Sequence, residues 1–246
     1  MSLKSSFAIV VPCYNEEKAM PVFLAEVTNF FSLFSKELPD FTLKFIFVDN
    51  NSTDTSFRRL SDFAEKFSPF GSIQVVSCKT QGYGAALKTG FSATESAWYG
   101  FADLDNTYPL KDFPNMLKLA LEKNLDIVFA NRLQLKTDMP LIRKAGNLFY
   151  SYLSQILFQN SVQDMCTGMR VFKMSRRQKI VSLPSNDLKF SIEFTATTLK
   201  EEWPKAEIAI VYRERLGESK LSVVKDGILF LLTLLKVKFS HAHKES

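Results

Sequence analysis

A chain of 246 residues, 46% hydrophobic and 23% charged, has ordinary globular composition, and its length suits one α/β domain with a sizeable core. The formal net charge of +5 is too small to argue for nucleic acid; it fits a protein that handles anionic phosphates or rests on an anionic membrane surface. Cys13, Cys78 and Cys166 show neither metal-ligand spacing nor a disulfide framework, no stretch approaches the roughly 20 apolar residues that span a bilayer, and Met1 to Ser6 does not open a signal peptide, so the expected location is cytoplasmic.

Phe7 to Pro12 is a continuous apolar run, as in a central strand buried on both faces, and Cys13 to Glu17 turns it into a helix. From about Glu17 to Lys36, Phe23, Val27, Phe30, Phe31 and Phe34 recur at helical spacing until Pro39 and Asp40 stop them. Leu43 to Val48 reads as a second buried strand, and the polar cluster Asp49 to Asp54 caps a helix running to about Phe67. Ile73 to Ser77 is a third strand. Thr80 to Gly90 then carries glycines into a helix, where backbone amides can approach a phosphate. Their spacing is not that of a dinucleotide fingerprint, which excludes a Rossmann dehydrogenase.

The fourth apolar run, from Trp98, ends in Asp103 and Asp105 with one leucine between them. Alternate side chains of a strand share a face, so the two carboxylates can converge at the strand end and suit a hard divalent cation that also holds phosphate oxygens. A solvated turn before Thr107, Tyr108 and Pro109 is the other reading of these residues. Pro109 to Lys123 continues as a helix and Asp126 to Ala130 as a fifth strand, ending in Asn131 and Arg132. Short strands alternating with helices imply a largely parallel sheet with helices on both faces, where ligands bind beyond the carboxyl ends of strands. The clusters at Tyr14 to Glu17, Asp49 to Asp54, Gln81 to Gly84, Asp103 to Thr107 and Asn131 to Arg132 all fall at that edge.

Met139 to Asn147 opens a long aromatic-rich helix through about Gln159, whose Phe149, Tyr150, Leu153, Ile156, Leu157 and Phe158 read first as core and second as a lipid-facing surface. Asp164 to Arg170 leads into a short strand, Met169 to Lys173. The basic run Lys173, Arg176, Arg177 and Lys179 reads as a solvated face or as a contact with a membrane. In the helix from Phe190 to Lys200, Glu193 is either on the wet side or held inside by an arginine. Glu207 to Tyr212 alternates into Arg213 and Arg215 on one strand face, with Gly217 turning Lys220 toward them, a group of cations able to hold a phosphate. From Ser222 to Phe239 the middle of a last helix, Ile228 to Leu232, is apolar on all sides, so it is buried in protein, in a partner or in the bilayer interface. The expected division is a domain at 1–222 and a C-terminal helix and tail at 223–246.

Taken in order, Val11 to Glu17, Val48 to Asp54, Gln81 to Ala86, Asp103 to Pro109, Asp164 to Arg170 and Arg215 to Leu221 resemble the family 2 glycosyltransferases, and within them the dolichyl- and polyprenyl-phosphate sugar synthases. The resemblance runs from Val10 to about Leu234 and implies the A-type glycosyltransferase fold, a Rossmann-like, mostly parallel sheet with helices on both faces. It implies a site for a GDP- or UDP-sugar at Pro12, Tyr14, Asn15, Glu16, Asp49, Gly82, Gly84, Asp103, Leu104 and Asp105. Mg2+ or Mn2+ would bridge Asp103 and Asp105 to the diphosphate, with Thr107 where a further ligand often lies. Arg132, Arg143 and Arg215 fall where the prenyl-phosphate branch holds phosphates, Ser219 and Lys220 stand beside them, and Asp164 falls where relatives have a proposed base or acceptor-positioning acid. The chain departs from the family at Asn50 (commonly Asp), Asn51 (usually Gly), Tyr83 (often Lys or Leu) and Ala130-Asn131 (commonly Gly-Ser). Without the C-terminal transmembrane helices of many bacterial relatives, the expectation is a peripheral enzyme at the cytosolic membrane face, or a catalytic domain whose membrane partner is separate.

The expected reaction inverts the anomeric carbon, with the metal offsetting charge on the leaving nucleoside diphosphate. A lipid phosphate is already anionic and needs a cationic pocket and alignment, for which Arg143, Arg215 and Lys220 are candidates. A hydroxyl acceptor, as on a polysaccharide or glycolipid, would need a base, with Asp164 or Glu193 the candidate. A non-catalytic nucleotide-sugar-binding protein that kept the fold is the third reading.

Overall fold

The computed structural model describes residues 5–67, 72–135, 139–217 and 223–240. The strands are β1 (Ser6–Cys13), β2 (Thr42–Asp49), β3 (Ser72–Ser77), β4 (Trp98–Phe101), β5 (Ile127–Asn131), β6 (Arg170–Lys173) and β7 (Lys205–Ala209). Helices α1 (Met20–Glu37), α2 (Ser56–Phe67), α3 (Tyr83–Ser92) and α4 (Phe113–Glu122) are the successive crossovers between β1 and β5. The second half adds α5 (Leu141–Phe158), α6 (Arg177–Val181), α7 (Lys189–Lys200) and α8 (Val223–Phe239).

One seven-stranded sheet has the order β3-β2-β1-β4-β6-β5-β7. Every pair is parallel except the two made by β6, which runs antiparallel between β4 and β5. That reversal, not visible in the apolar pattern, sends the amino end of β6 to the edge where β1, β2, β4 and β5 have their carboxyl ends. Asp164 to Gly168 thereby reach the same edge as Asp103 and Asn131.

Alternation along β1 divides the core. Phe7, Ile9 and Val11 face one layer with α1 and α4, and Ala8 and Val10 face the other with α3, α7 and α8. Phenylalanine fills both layers: Phe7 packs on Phe34 with ring centres 5.8 Å apart, and Phe91 on Phe172 at 5.0 Å.

Several expectations shift. A short 3-10 turn, Leu110–Asp112, precedes α4, and the last strand is Lys205–Ala209, so Arg213 and Arg215 lie beyond it rather than on one strand face. The basic run after β6 sits at the opposite sheet edge and is spent inside the chain. Arg176 pairs with Asp126, Arg177 donates to the Phe91 carbonyl and Lys179 lies 3.2 Å from Glu201. Glu193 is neither wet nor held by an arginine: it is buried and accepts a 2.9 Å hydrogen bond from the Ser185 backbone N–H. Helix α5 is core on one face only: Tyr150, Leu153, Leu157 and Phe158 pack half-buried against the second layer, while Phe149 and Ile156 are exposed. Helix α8 packs Phe230, Leu234 and Val237 into the core and leaves Ile228 and Leu232 exposed.

Candidate active site

The common strand edge opens into a cavity of about 440 Å3. One side is made by Pro12, Tyr14, Glu16, Asn50, Gly82 and Tyr83, the floor by Asp103, Leu104, Asp105, Arg132 and Arg215, and the other side by Met139, Ile142, Arg143, Tyr150 and Phe230.

Asp103 and Asp105 leave β4 just after its last apolar residue, and each carboxylate is fixed. The Tyr83 hydroxyl donates to Asp103 Oδ1 at 2.9 Å. The loop before β6 presses on the other oxygen so closely that a Cβ on Gly168 would stand 2.4 Å from Asp103 Oδ2. Burial pushes the Asp103 carboxyl up to about 7, the neighbouring Asp105 charge adds to this, and Tyr83, Arg215 and Arg132 oppose it. Asp105 accepts from the Thr107 N–H at 3.0 Å and from the Thr107 hydroxyl, and pairs with Arg215 at 2.8 Å. Arg215 also lies 3.8 Å from Glu16, and its Nε is buried without a partner among the described residues.

Asn50 explains one departure from the family pattern. Its amide nitrogen donates to the Cys78 and Thr80 carbonyls, and its oxygen accepts from the Gly82 N–H at 2.7 Å. An aspartate has no donor for the first two. Asn51 has φ 63°, a left-handed conformation that Asn tolerates where Gly is usual. Gly82 itself has φ 135°, with the Asn186 carbonyl where a side chain would go.

Arg132 and Asp164 form a bidentate pair, Nε to Oδ2 at 2.6 Å and a terminal nitrogen to Oδ1 at 2.7 Å, and the Arg132 backbone N–H adds a third bond at 3.0 Å. The guanidinium lies over the Tyr108 and Tyr212 rings, 5.6 and 5.4 Å from their centres. Asp164 is fully buried and does not line the cavity. Burial alone would raise its carboxyl, but the charge and hydrogen bonds of Arg132, with the Asn147 amide, hold it below the ordinary carboxylate value.

The structure thus gathers Pro12, Tyr14, Glu16, Gly82, Asp103, Leu104, Asp105, Arg132, Arg143 and Arg215 around one cavity. Asn15, Asp49 and Gly84 do not line it. Asn15 bonds to Ser52 and Thr53, Asp49 accepts from the Ser52 N–H and keeps one buried oxygen without a partner among the described residues, and Gly84 packs on Phe190. Arg213 turns away to Glu26 at 2.9 Å and does not join Arg215. Ser219 and Lys220 lie outside the described residues. Sequence reasoning missed Asn147, which donates to Asp164 and accepts from the Met165 N–H, and Glu207, which accepts from the Gln163 and Asp164 N–H groups. A lone Asn in an aromatic helix was the only signal of the first.

The sequence pattern of the family described as Glycosyl transferase family 2 matches residues 8–180. The chain belongs to that family. It is 28% identical over 231 residues to a dolichyl-phosphate hexose transferase of Haloferax volcanii, covering 94% of this chain and 92% of that one. It is 26% identical to a dolichyl-phosphate beta-glucosyltransferase of Dictyostelium discoideum, covering 95% and 74%. Glucosyl-3-phosphoglycerate synthase of Mycobacterium tuberculosis, solved with Mn2+, UDP and phosphoglyceric acid, superposes with TM-score 0.69 at 19% identity, covering 98% of this chain and 83% of that one. The fold of this family 2 enzyme is thus the A-type glycosyltransferase fold.

Two adjacent carboxylates withdrawn from water repel each other and suit a divalent cation, so Asp103 and Asp105 fit one. Among the described residues no three His, Cys, Asp or Glu side chains gather at one point. The remaining coordination would come from donor phosphate and water, as is usual for Mg2+.

Proposed function

We propose that this glycosyltransferase moves one hexose-type sugar from a UDP- or GDP-sugar to a polyprenyl or dolichyl phosphate, inverting the anomeric carbon and requiring Mg2+ or Mn2+. The observation that carries the acceptor class is the bidentate Arg132–Asp164 pair: the acid offered as a base is buried and spent on a guanidinium. A prenyl phosphate needs no proton removed at neutral pH. The apolar side of the cavity, Met139, Ile142, Tyr150 and Phe230, with Arg143 beside it, suits an anionic head on an apolar tail. The named relatives, which match nearly the whole chain, support the same reading.

Asp103 and Asp105 would hold the cation, which supplies charge neutralisation at the departing diphosphate. Arg215, already at Asp105, faces the same phosphates, and its Nε, unpartnered among the described residues, is a donor held ready. Pro12, Tyr14, Glu16 and Gly82 wall the nucleotide. Arg143 aligns the acceptor phosphate, with Ser219 and Lys220, which follow Arg215 in sequence, as further candidates, and Asp164 acts by orienting Arg132. The enzyme would work peripherally at the cytosolic face of a membrane, alone or beside a separate membrane protein.

Incubation with radiolabelled nucleotide sugars and a prenyl phosphate, with and without chelator, tests this. Label is expected in the lipid fraction only when free metal is present. Label that never reaches the lipid with any common donor overturns the reading.

A further inference from the structure

Helix α5 is apolar on two faces, one of which packs Tyr150, Leu153, Leu157 and Phe158 half-buried on the core. Its two buried residues, Asn147 and Ser154, are polar, while Leu141, Leu148, Phe149, Tyr152 and Ile156 face outward, with Leu141 83% and Tyr152 69% exposed. Their spacing of three and four places them in one stripe, and the other exposed positions on it, Ala145 and Gln155, carry no charge. Helix α8 lies alongside: the Tyr150 hydroxyl donates to the Gly227 carbonyl at 2.7 Å, and the Tyr150 ring meets Phe230 at 6.1 Å. It adds Ile228, Leu232 and Phe239, so nine of the fourteen large apolar side chains exposed among the described residues belong to these two helices.

Two further observations say what covers this face. Besides Arg143, which lines the cavity, the two helices carry Lys144, Lys225, Lys236 and Lys238 against one carboxylate, Asp226, which complements an anionic surface. Ile142 is 60% exposed and also lines the cavity, so the apolar surface continues into the site. No helix among the described residues is long and apolar enough to cross a membrane, and an apolar stripe edged by cations suits a helix lying in the interface. A second copy seated there would bring like charges together and close the cavity mouth.

We propose that α5 and α8 together are the surface by which the protein rests on an anionic bilayer, both helices in the interface and the cavity mouth turned to the lipid. This rests on the lipid-phosphate reading above and names the face that meets the membrane.

The test is co-sedimentation of the full chain with vesicles of phosphatidylcholine, alone or mixed with phosphatidylglycerol, containing no acceptor. Binding to the mixed vesicles is expected, weakening as salt rises. The double variant Phe149→Glu/Tyr152→Glu should lose it roughly tenfold or more. Its transfer to a water-soluble short-chain prenyl phosphate should stay within about twofold, because neither residue lines the cavity. Lys225→Glu/Lys236→Glu, which leaves the apolar stripe intact, should lose the preference for anionic vesicles. Wild-type-like vesicle binding by both variants overturns the proposal. So does a wild type that binds no vesicles but forms a dimer dissolved by Phe149→Glu/Tyr152→Glu. Variant-sensitive vesicle binding with no prenyl-phosphate transfer by the wild type upholds the docking surface and overturns the acceptor reading instead.

Discussion

On the side of the cavity formed by the strand ends, the charged side chains hold one another: Asp103 has Tyr83, Asp105 has Thr107 and Arg215, and Arg132 has Asp164. On the side formed by α5 and α8, Ile142, Tyr150 and Phe230, with Met139 just before α5, make an apolar lining around Arg143, Asn147 and Asp226, on helices that show apolar residues to solvent. Polar groups fixed before substrate arrives can stabilise developing charge without reorganising, which is what a departing diphosphate demands. An apolar tail demands only area removed from water, and a loosely covered helix pair supplies that. The same cavity is therefore held rigid by these bonds where the proposed chemistry would take place and open where the proposed lipid would enter.

The largest effect should come from the rigid side. Replacing Asp103 or Asp105 by Ala is expected to lower transfer by roughly a thousandfold or more, with the circular dichroism spectrum unchanged. Variants that retain turnover in chelator would break the distinction, because the polar side would then hold no metal.

Asp164→Asn should act on stability. It leaves the Arg132 guanidinium buried with part of its charge unpaired, which costs about 3–5 kcal/mol, or roughly 6–20 °C in melting midpoint for a chain of this size. The folded Asp164 carboxyl lies below its ordinary value, so its contribution is present above the unfolded pKa of about 4 and is lost as pH falls through the lower folded one. Melting curves should therefore show the widest gap from wild type near neutral pH and a closing gap in acid. An Asp164→Asn that melts like wild type but does not turn over would make Asp164 a base after all.

A smaller, sharper effect belongs to Tyr83. Tyr83→Phe removes the hydroxyl that fixes Asp103 Oδ1 and little else, so Mn2+ affinity read by calorimetry on the free protein should fall about tenfold. Unchanged affinity would mean that Asp103 needs no second partner.

Much of the rigid side was legible in the chain because strand ends announce themselves: an apolar run that stops at Asp103 and Asp105, or at Asn131 and Arg132, must place those residues at the sheet edge. Three things were not fully legible. The antiparallel course of β6 depends on which neighbours a four-residue strand finds, and its apolar pattern is the same in either direction. Arg213 and Arg215 part because the chain leaves regular structure after Ala209, where alternation no longer sets direction. Helix α5 is legible only in part: apolar residues at helical spacing say that something covers them, and only the fold shows that the chain covers Tyr150, Leu153, Leu157 and Phe158 but not Phe149 and Ile156. Helix α7 is the converse, with Ser191, Glu193, Thr195, Thr197 and Thr198 all buried; Thr195 and Thr198 give their hydroxyls to backbone carbonyls inside the chain.

The least effect is expected at Asp226, and it is the most informative for the open side. This carboxylate lines the cavity from the first turn of α8, among the residues that would meet the acceptor, and it is the one acid that α5 and α8 supply. If the acceptor is a phosphate already ionised at neutral pH, no proton has to leave it, and Asp226→Asn should keep turnover within about twofold across the pH profile. A hydroxyl acceptor would give the opposite result, because removing a general base lowers turnover by roughly 10²- to 10⁴-fold and abolishes the acid limb of the profile. Such a loss would move the proton chemistry from the strand-end side, where Asp164 is spent on Arg132, to the helix side, and the apolar lining would then accommodate a glycolipid hydroxyl rather than a prenyl phosphate.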